Sequence, residues 1–228
     1  MRYVIKIGGS LIQDKKTGKL NIALIKEIAS VLRKIYEEDN SVGIVVGGGK
    51  TAREYIKAAR VFSASEAYCD EIGIEASRLN AKIFISALGN IAYPEPALSF
   101  REAVDHILKK KIVVMGGTQP GQSTNAVAAI LSEYLNADLF VNATDVDGVY
   151  SFSQGKKVFL SEISSEDLYK ILENKESSAG TYPLFDILAL KIISRSNIPT
   201  VILNGNNPEN ILKVVMGEKI GTRITFKS

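Results

Sequence analysis

Lys6 stands two residues before a glycine pair, in Lys-Ile-Gly-Gly-Ser (6–10), and two further glycine turns close apolar runs of the same kind. Gly47-Gly48-Gly49 follows Val42 to Val46, and Gly116-Gly117 follows Ile112 to Met115. Glycine lets a backbone approach a phosphate closely and presents successive N–H donors with no Cβ in the way. Each turn alone reads equally well as a tight strand-to-helix connection. Three of them, each ending an apolar run, point to phosphate binding. The chain has no Gly-x-x-x-x-Gly-Lys-Ser/Thr loop and no Gly-x-Gly-x-x-Gly fingerprint, so the cradle is of another kind.

The reaction these residues suit is phosphoryl transfer to an acceptor that is itself a phosphate monoester. Such an acceptor is largely dianionic at neutral pH and needs no general base. The protein then has to hold the groups in line and neutralise the equatorial oxygens, using lysine, arginine, backbone donors and Mg²⁺. Lys6, Arg53 and Lys191 are the candidate cations. Asp147, in Asp-Val-Asp-Gly, could orient the lysines, although Asp-Gly is also a common turn pair. The lone His106 lies in a lysine-rich helix and reads as a surface or capping residue rather than a catalytic one.

Periodicity supplies the elements that carry these residues. Arg2 to Ile7 reads as a buried strand, and after a polar loop Ile22, Ile25, Ile28, Leu32 and Ile35 recur at helical spacing. Helices are predicted over about 51–60 and 66–88, then one ending at Lys109-Lys110-Lys111, and an alanine-rich one from the Thr118–Thr124 loop to about Asn136. Strands are predicted at 42–46, 112–115, 138–143 and 200–203, with a hairpin turning at Gln154-Gly155. Ser164 opens a helix to about Asn174, a loop runs from Lys175 to Pro183, and a helix spans 186–196. Asn207-Pro208 supplies a cap and a first-turn proline for the last helix. Strands alternating with helices imply one α/β domain with a largely parallel sheet covered on both faces.

Composition excludes several other classes. The 228 residues, 46% hydrophobic and 23% charged, are those of an ordinary globular chain. A net charge of +3 is too balanced for a nucleic-acid stripe. The single Cys69 forms no intrachain disulfide and no cysteine metal cluster. Without an export signal or a membrane-length apolar run, the expected location is the cytoplasm.

Taken together, Lys-Ile-Gly-Gly-Ser (6–10), Val-Gly-Gly-Gly-Lys-Thr-Ala-Arg (46–53), Gly-Gly-Thr-Gln-Pro-Gly-Gln-Ser-Thr (116–124), Thr-Asp-Val-Asp-Gly-Val-Tyr (144–150) and the run 179–193 resemble the amino acid kinase family, and within it the archaeal-type branch that phosphorylates UMP. The resemblance covers essentially the whole chain. It implies a three-layer αβα sandwich in which residues to about 137 bind UMP and the rest bind ATP. The implied reaction is ATP + UMP giving ADP + UDP, with Mg²⁺ carried on the ATP phosphates and no protein metal site. Lys6, Asp147 and Lys191 match the catalytic lysines and their organising aspartate. Gly9, Ser10, Gly49, Arg53, Thr144, Asp145 and Tyr150 match the ATP side. Gly48, Asp70 and the loop Thr118, Gln119, Pro120, Gly121, Gln122, Ser123, Thr124 match the UMP side. A hexamer of three dimers is also implied.

Two departures fall on the ATP side. Asp145 stands where Asn is frequent, and Ser151 to Gly155 replaces a common Asp-Pro continuation, which leaves no carboxylate near Ser153. The rival readings are isopentenyl phosphate kinase, whose histidine pattern after the second glycine turn is replaced by Lys50-Thr51-Ala52-Arg53, and a non-catalytic nucleotide sensor.

Overall fold

The computed structural model describes residues 1–14, 17–153, 156–173 and 184–226. Strict alternation in Arg2–Ile7 (β1) sets the layers. Tyr3, Ile5 and Ile7 face one apolar cluster and Val4 the opposite one. β1 pairs in parallel with Ser41–Val46 (β2) on one side and Leu139–Thr144 (β4) on the other. Val113–Met115 (β3) continues the sheet beyond β2, and Thr200–Asn204 (β8) continues it beyond β4, both in parallel. Thr222–Thr225 (β9) then runs antiparallel to β8, and Glu162–Ser164 (β7) closes the edge parallel to β9. The described order is β3-β2-β1-β4-β8-β9-β7.

Ile22–Glu37 (α2) and the second half of Glu66–Leu88 (α4) cover the face carrying Ile5 and Ile7, where Phe84 and Leu88 are fully buried. Thr124–Tyr134 (α6) and Ile187–Arg195 (α8) cover the face carrying Val4 and Phe140. Because both faces are covered, the strands read as continuous apolar runs, and a polar residue in one of them stands out. The sandwich is the expected one.

Several local expectations are corrected. The polar loop after β1 begins with a single helical turn, Gly9–Ile12 (α1), whose Leu11 and Ile12 are buried. Gly49–Val61 (α3) starts two residues earlier than predicted, because Gly49 at φ +68 turns directly into the helix. In Glu209–Val215 (α9) Pro208, not Asn207, occupies the cap position. β7 and β9 are short and were not anticipated.

His106, on Phe100–Leu108 (α5), is neither at the surface nor a cap. It is 3% exposed and stacks on Tyr93 with ring centroids 3.3 Å apart. The hairpin Val149–Ser153 (β5) with Lys156–Leu160 (β6) forms as expected, apart from the main sheet. Its turn, 154–155, and the expected 175–183 loop lie outside the described residues. Ser164 caps Ser165–Glu173 (α7) through Asp167 N at 3.0 Å. No helix among the described residues is long and apolar enough to cross a membrane.

Candidate active site

A cavity of about 500 Å³ opens beyond the carboxyl ends of β1, β2 and β4. In a parallel sheet this is where turns and helix N-termini expose their N–H groups. Its floor is the junction of two glycine turns. A Cβ on Gly9 would fall on the backbone of Gly49, and one on Gly49 would lie 2.7 Å from Gly9 O, so the turns touch backbone to backbone. Asn80 on α4 donates to Gly47 O at 2.8 Å and Gly48 O at 3.2 Å. Gln13, just after α1, accepts from Lys50 N at 2.7 Å and Thr51 N at 3.1 Å. With their carbonyls and flanking amides tied down, the turns keep a fixed shape. Their remaining N–H groups can meet an anion without reorganising, which is the condition for electrostatic stabilisation of transferred charge.

Lys6 reaches this floor from inside the sheet. It lies on the α6/α8 face, in the row Met115–Val45–Lys6–Asn142–Ile202, and is 9% exposed. Burial pushes its ammonium down to about 8, against the opposing pull of the Asp186 and Asp145 carboxylates. Asp186 is the N-cap of α8, accepting from Ala189 N at 2.9 Å, and it also receives the hydroxyl of Ser123. Ser123 in turn caps α6, accepting from Asn125 N and Ala126 N. One carboxylate therefore joins two helix N-termini beside the buried lysine.

The third glycine turn plays a different part. A Cβ on Gly116 would lie 2.6 Å from Arg78 N, and one on Gly117 would lie 2.8 Å from Ile74 Cγ1. Gly117 N donates to Ser77 Oγ at 2.6 Å. These glycines let the end of β3 pack on α4, from which the Thr118–Thr124 loop departs. Within that loop Thr118 donates to Gln122 Oε1 at 2.8 Å, and Gly121 N donates to Asp70 Oδ2 at 2.8 Å.

Of the residues singled out from sequence, the cavity wall holds Lys6, Gly9, Ser10, Gly48, Gly49, Arg53, Asp70, Gln122, Ser123, Thr124, Thr144 and Asp145. Thr118, Gln119, Pro120 and Gly121 stand behind it as the support and outer turn of the loop. Lys191 is exposed on α8 and does not line the cavity. Asp147 and Tyr150 are likewise outside it. Asp147 accepts from Asn204 Nδ2 at 2.8 Å and the Tyr150 hydroxyl at 3.0 Å, which hold its carboxyl below the usual range and raise the tyrosine. The carboxylates acting on Lys6 are Asp186 and Asp145.

Sequence reasoning passed over Asp186, Gln13, Asn80 and Ser77 as functional residues, together with the pair Asn125 and Asn142. Each Asn of that pair keeps a buried Oδ1 without a partner among the described residues. A signal existed for some of them: Asn142 interrupts the apolar run Leu-Phe-Val-Asn-Ala-Thr, and Asp186 precedes an apolar helix as a cap.

The model of the amino acid kinase family matches residues 1–204. The chain belongs to that family. Among its relatives in the family, uridylate kinase from Methanobrevibacter smithii is 42% identical, with all of both chains aligned. Uridylate kinase from Methanothermobacter thermautotrophicus is 45% identical over 98% of this chain and 99% of its own. The crystal structure of uridylate kinase from Archaeoglobus fulgidus superposes with a TM-score of 0.86 at 44% identity, covering 99% of this chain and 100% of that one. UMP kinase from Bacillus anthracis, at 23% identity and a TM-score of 0.81 over 98% and 95%, shares the fold.

Proposed function

We propose that this chain is a UMP kinase, transferring the γ-phosphoryl group of ATP to UMP to give ADP and UDP. The observation that carries the reading is the buried Lys6 ammonium beneath two locked glycine turns, in a cavity with walls on both the Asp70 and the Asp145 side. Full-length identity of 42% and 45% to proteins named uridylate kinase supports the same substrates.

On this reading the β1 and β2 turns donate N–H groups to the transferring phosphoryl oxygens while Lys6 neutralises them, with Arg53 at the rim. Asp70 and the Thr118–Thr124 loop hold UMP, so residues to about 137 form the acceptor side. Thr144 and Asp145 form the donor side, with Tyr150 and Asp147 supporting the strand that follows. Mg²⁺ enters on the ATP phosphates, next to Asp145. Among the described residues no group of three or more His, Cys, Asp or Glu is placed to hold a metal ion. A cytoplasmic hexamer of three dimers belongs to the same proposal. Tyr55, Phe62, Tyr68 and Leu79, exposed on or beside α3 and α4, supply apolar surface for such contacts.

The deciding assay supplies purified protein with Mg²⁺, ATP and either UMP, CMP, AMP or isopentenyl phosphate. UMP is expected to turn over fastest by a wide margin. Comparable turnover of another acceptor removes the substrate assignment, and UMP binding without turnover favours a sensor.

A further inference from the structure

Asn142 lies on β4 in register with Lys6 on β1. Residues paired across parallel strands stand about 4.8 Å apart and point to the same face of the sheet. Asn142 is wholly buried, and its Nδ2 donates to Leu184 O at 3.0 Å. A carbonyl can only accept, so this bond fixes the amide and turns Oδ1 the other way. There Oδ1 has no donor among the described residues. A buried acceptor left without a donor costs about 1–3 kcal/mol, so the position demands a reason. The rest of the row, Met115, Val45 and Ile202, is apolar, and its one cation is Lys6, whose flexible four-carbon stem can turn toward its neighbour.

We propose that Asn142 is a positioning residue whose Oδ1, unbonded in this structure, is the acceptor to which the Lys6 ammonium turns on the sheet side beneath the glycine turns. When phosphate oxygens draw the ammonium forward, the amide stays pinned to Leu184 and marks the place to which the lysine returns. Among the described residues the charged groups acting on Lys6 are Asp145 after β4 and Asp186 at α8, and Arg53 on α3 and Asp70 on α4 line the same cavity. α6 and its cap contribute the uncharged Ser123, Thr124 and Asn125, and β2 contributes Val45. The value of Lys6 to catalysis rests on the function proposed above, whereas its attachment to Asn142 does not.

The test is competitive labelling of Lys6 by acetic anhydride from pH 6 to 11, read by peptide mass spectrometry in the folded full chain. A kcat–pH profile with UMP is taken in parallel. Asn142→Leu removes the acceptor and keeps the volume, so the Lys6 labelling midpoint is expected to fall by about one pH unit. Asn142→Asp is expected to raise it. The alkaline limb of kcat should move in the same directions. A purely structural Asn142 lowers stability and leaves both midpoints in place, and an unmoved labelling midpoint in Asn142→Leu overturns the proposal. Should that variant not fold, Asn142→Asp decides alone, an unmoved or lowered midpoint overturning it. If the unmodified chain fails to phosphorylate UMP, the labelling result still stands, so failure of the functional reading and failure of this one are distinct.

Discussion

Lys6 destabilises the fold it serves. Its folded pKa, about 8, lies below the ordinary 10.5, so between these values the unfolded chain binds more protons. The penalty for burying the ammonium is therefore full below about pH 8 and is relieved as pH rises toward 10.5. Lys6→Met is expected to raise Tm at pH 7, with the gain shrinking by pH 10, in thermal unfolding followed by circular dichroism. The same variant should lose roughly a hundredfold or more in kcat with modest change in KM for UMP, as when one preorganised donor to developing charge is removed. Asp186→Ala loses the α8 cap, worth about 1 kcal/mol. It also loses the bond that ties α6 to α8 and a carboxylate that favours the Lys6 ammonium. Lowered Tm together with an alkaline limb of kcat shifted to lower pH is the expected pair of results. Asn is the discriminating partner variant, since it keeps a capping oxygen and removes the charge.

Elements meet at this site through glycine, and not every glycine matters equally. Gly9→Ala would drive a methyl group into the Gly49 backbone and separate α1 from α3. It is expected to cost several kcal/mol in urea unfolding or to prevent folding. Gly89 at φ +66 and ψ −135 has open space within 4 Å of where a methyl group would sit, so Gly89→Ala is expected to cost only the backbone strain of a region nearly reserved for glycine, about 1–3 kcal/mol. The parallel sheet covered on both faces, the helix faces and the clustering of the first two glycine turns were legible because fully buried strands and amphipathic helices write their period in apolar residues, whereas the order of the strands was not. α2 shows such a period, and the sequence-based limits of α4 agree with the structure. The short edge strands β7 and β9 were not, since three or four residues hold too little pattern and their pairing is set by distant partners. The supporting residues escaped for the same reason. Gln13, Asn80 and Asp186 act through contacts with segments 32 or more residues away, which no local spacing encodes. Spacing likewise offered Asp147 as the partner of the lysines, whereas the folded chain sets Asp186 and Asp145 beside Lys6.

At the scale of the whole molecule, one group outside the cavity links stability to acid. His106 is buried on Tyr93, its Nδ1 has no partner among the described residues, and burial lowers its pKa, with Glu102 pulling the other way. The folded chain protonates this ring only at lower pH than the unfolded chain, whose ordinary value is about 6.5, so stability falls as pH drops through and below that value. His106→Phe is expected to flatten the slope of Tm between pH 6.5 and 4.5. An unchanged slope would place the acid sensitivity in the carboxylates. The order of strands at the other edge has a consequence for synthesis. Among the described residues β7 joins the sheet only through β9, which is made 58 residues later by the count from Ser164 to Thr222. At the usual 5–20 residues per second, β7 and the helix behind it wait roughly 3–12 s on the ribosome for the strand that receives them. For that interval the nascent chain carries an edge open to any neighbouring chain able to offer a strand of its own.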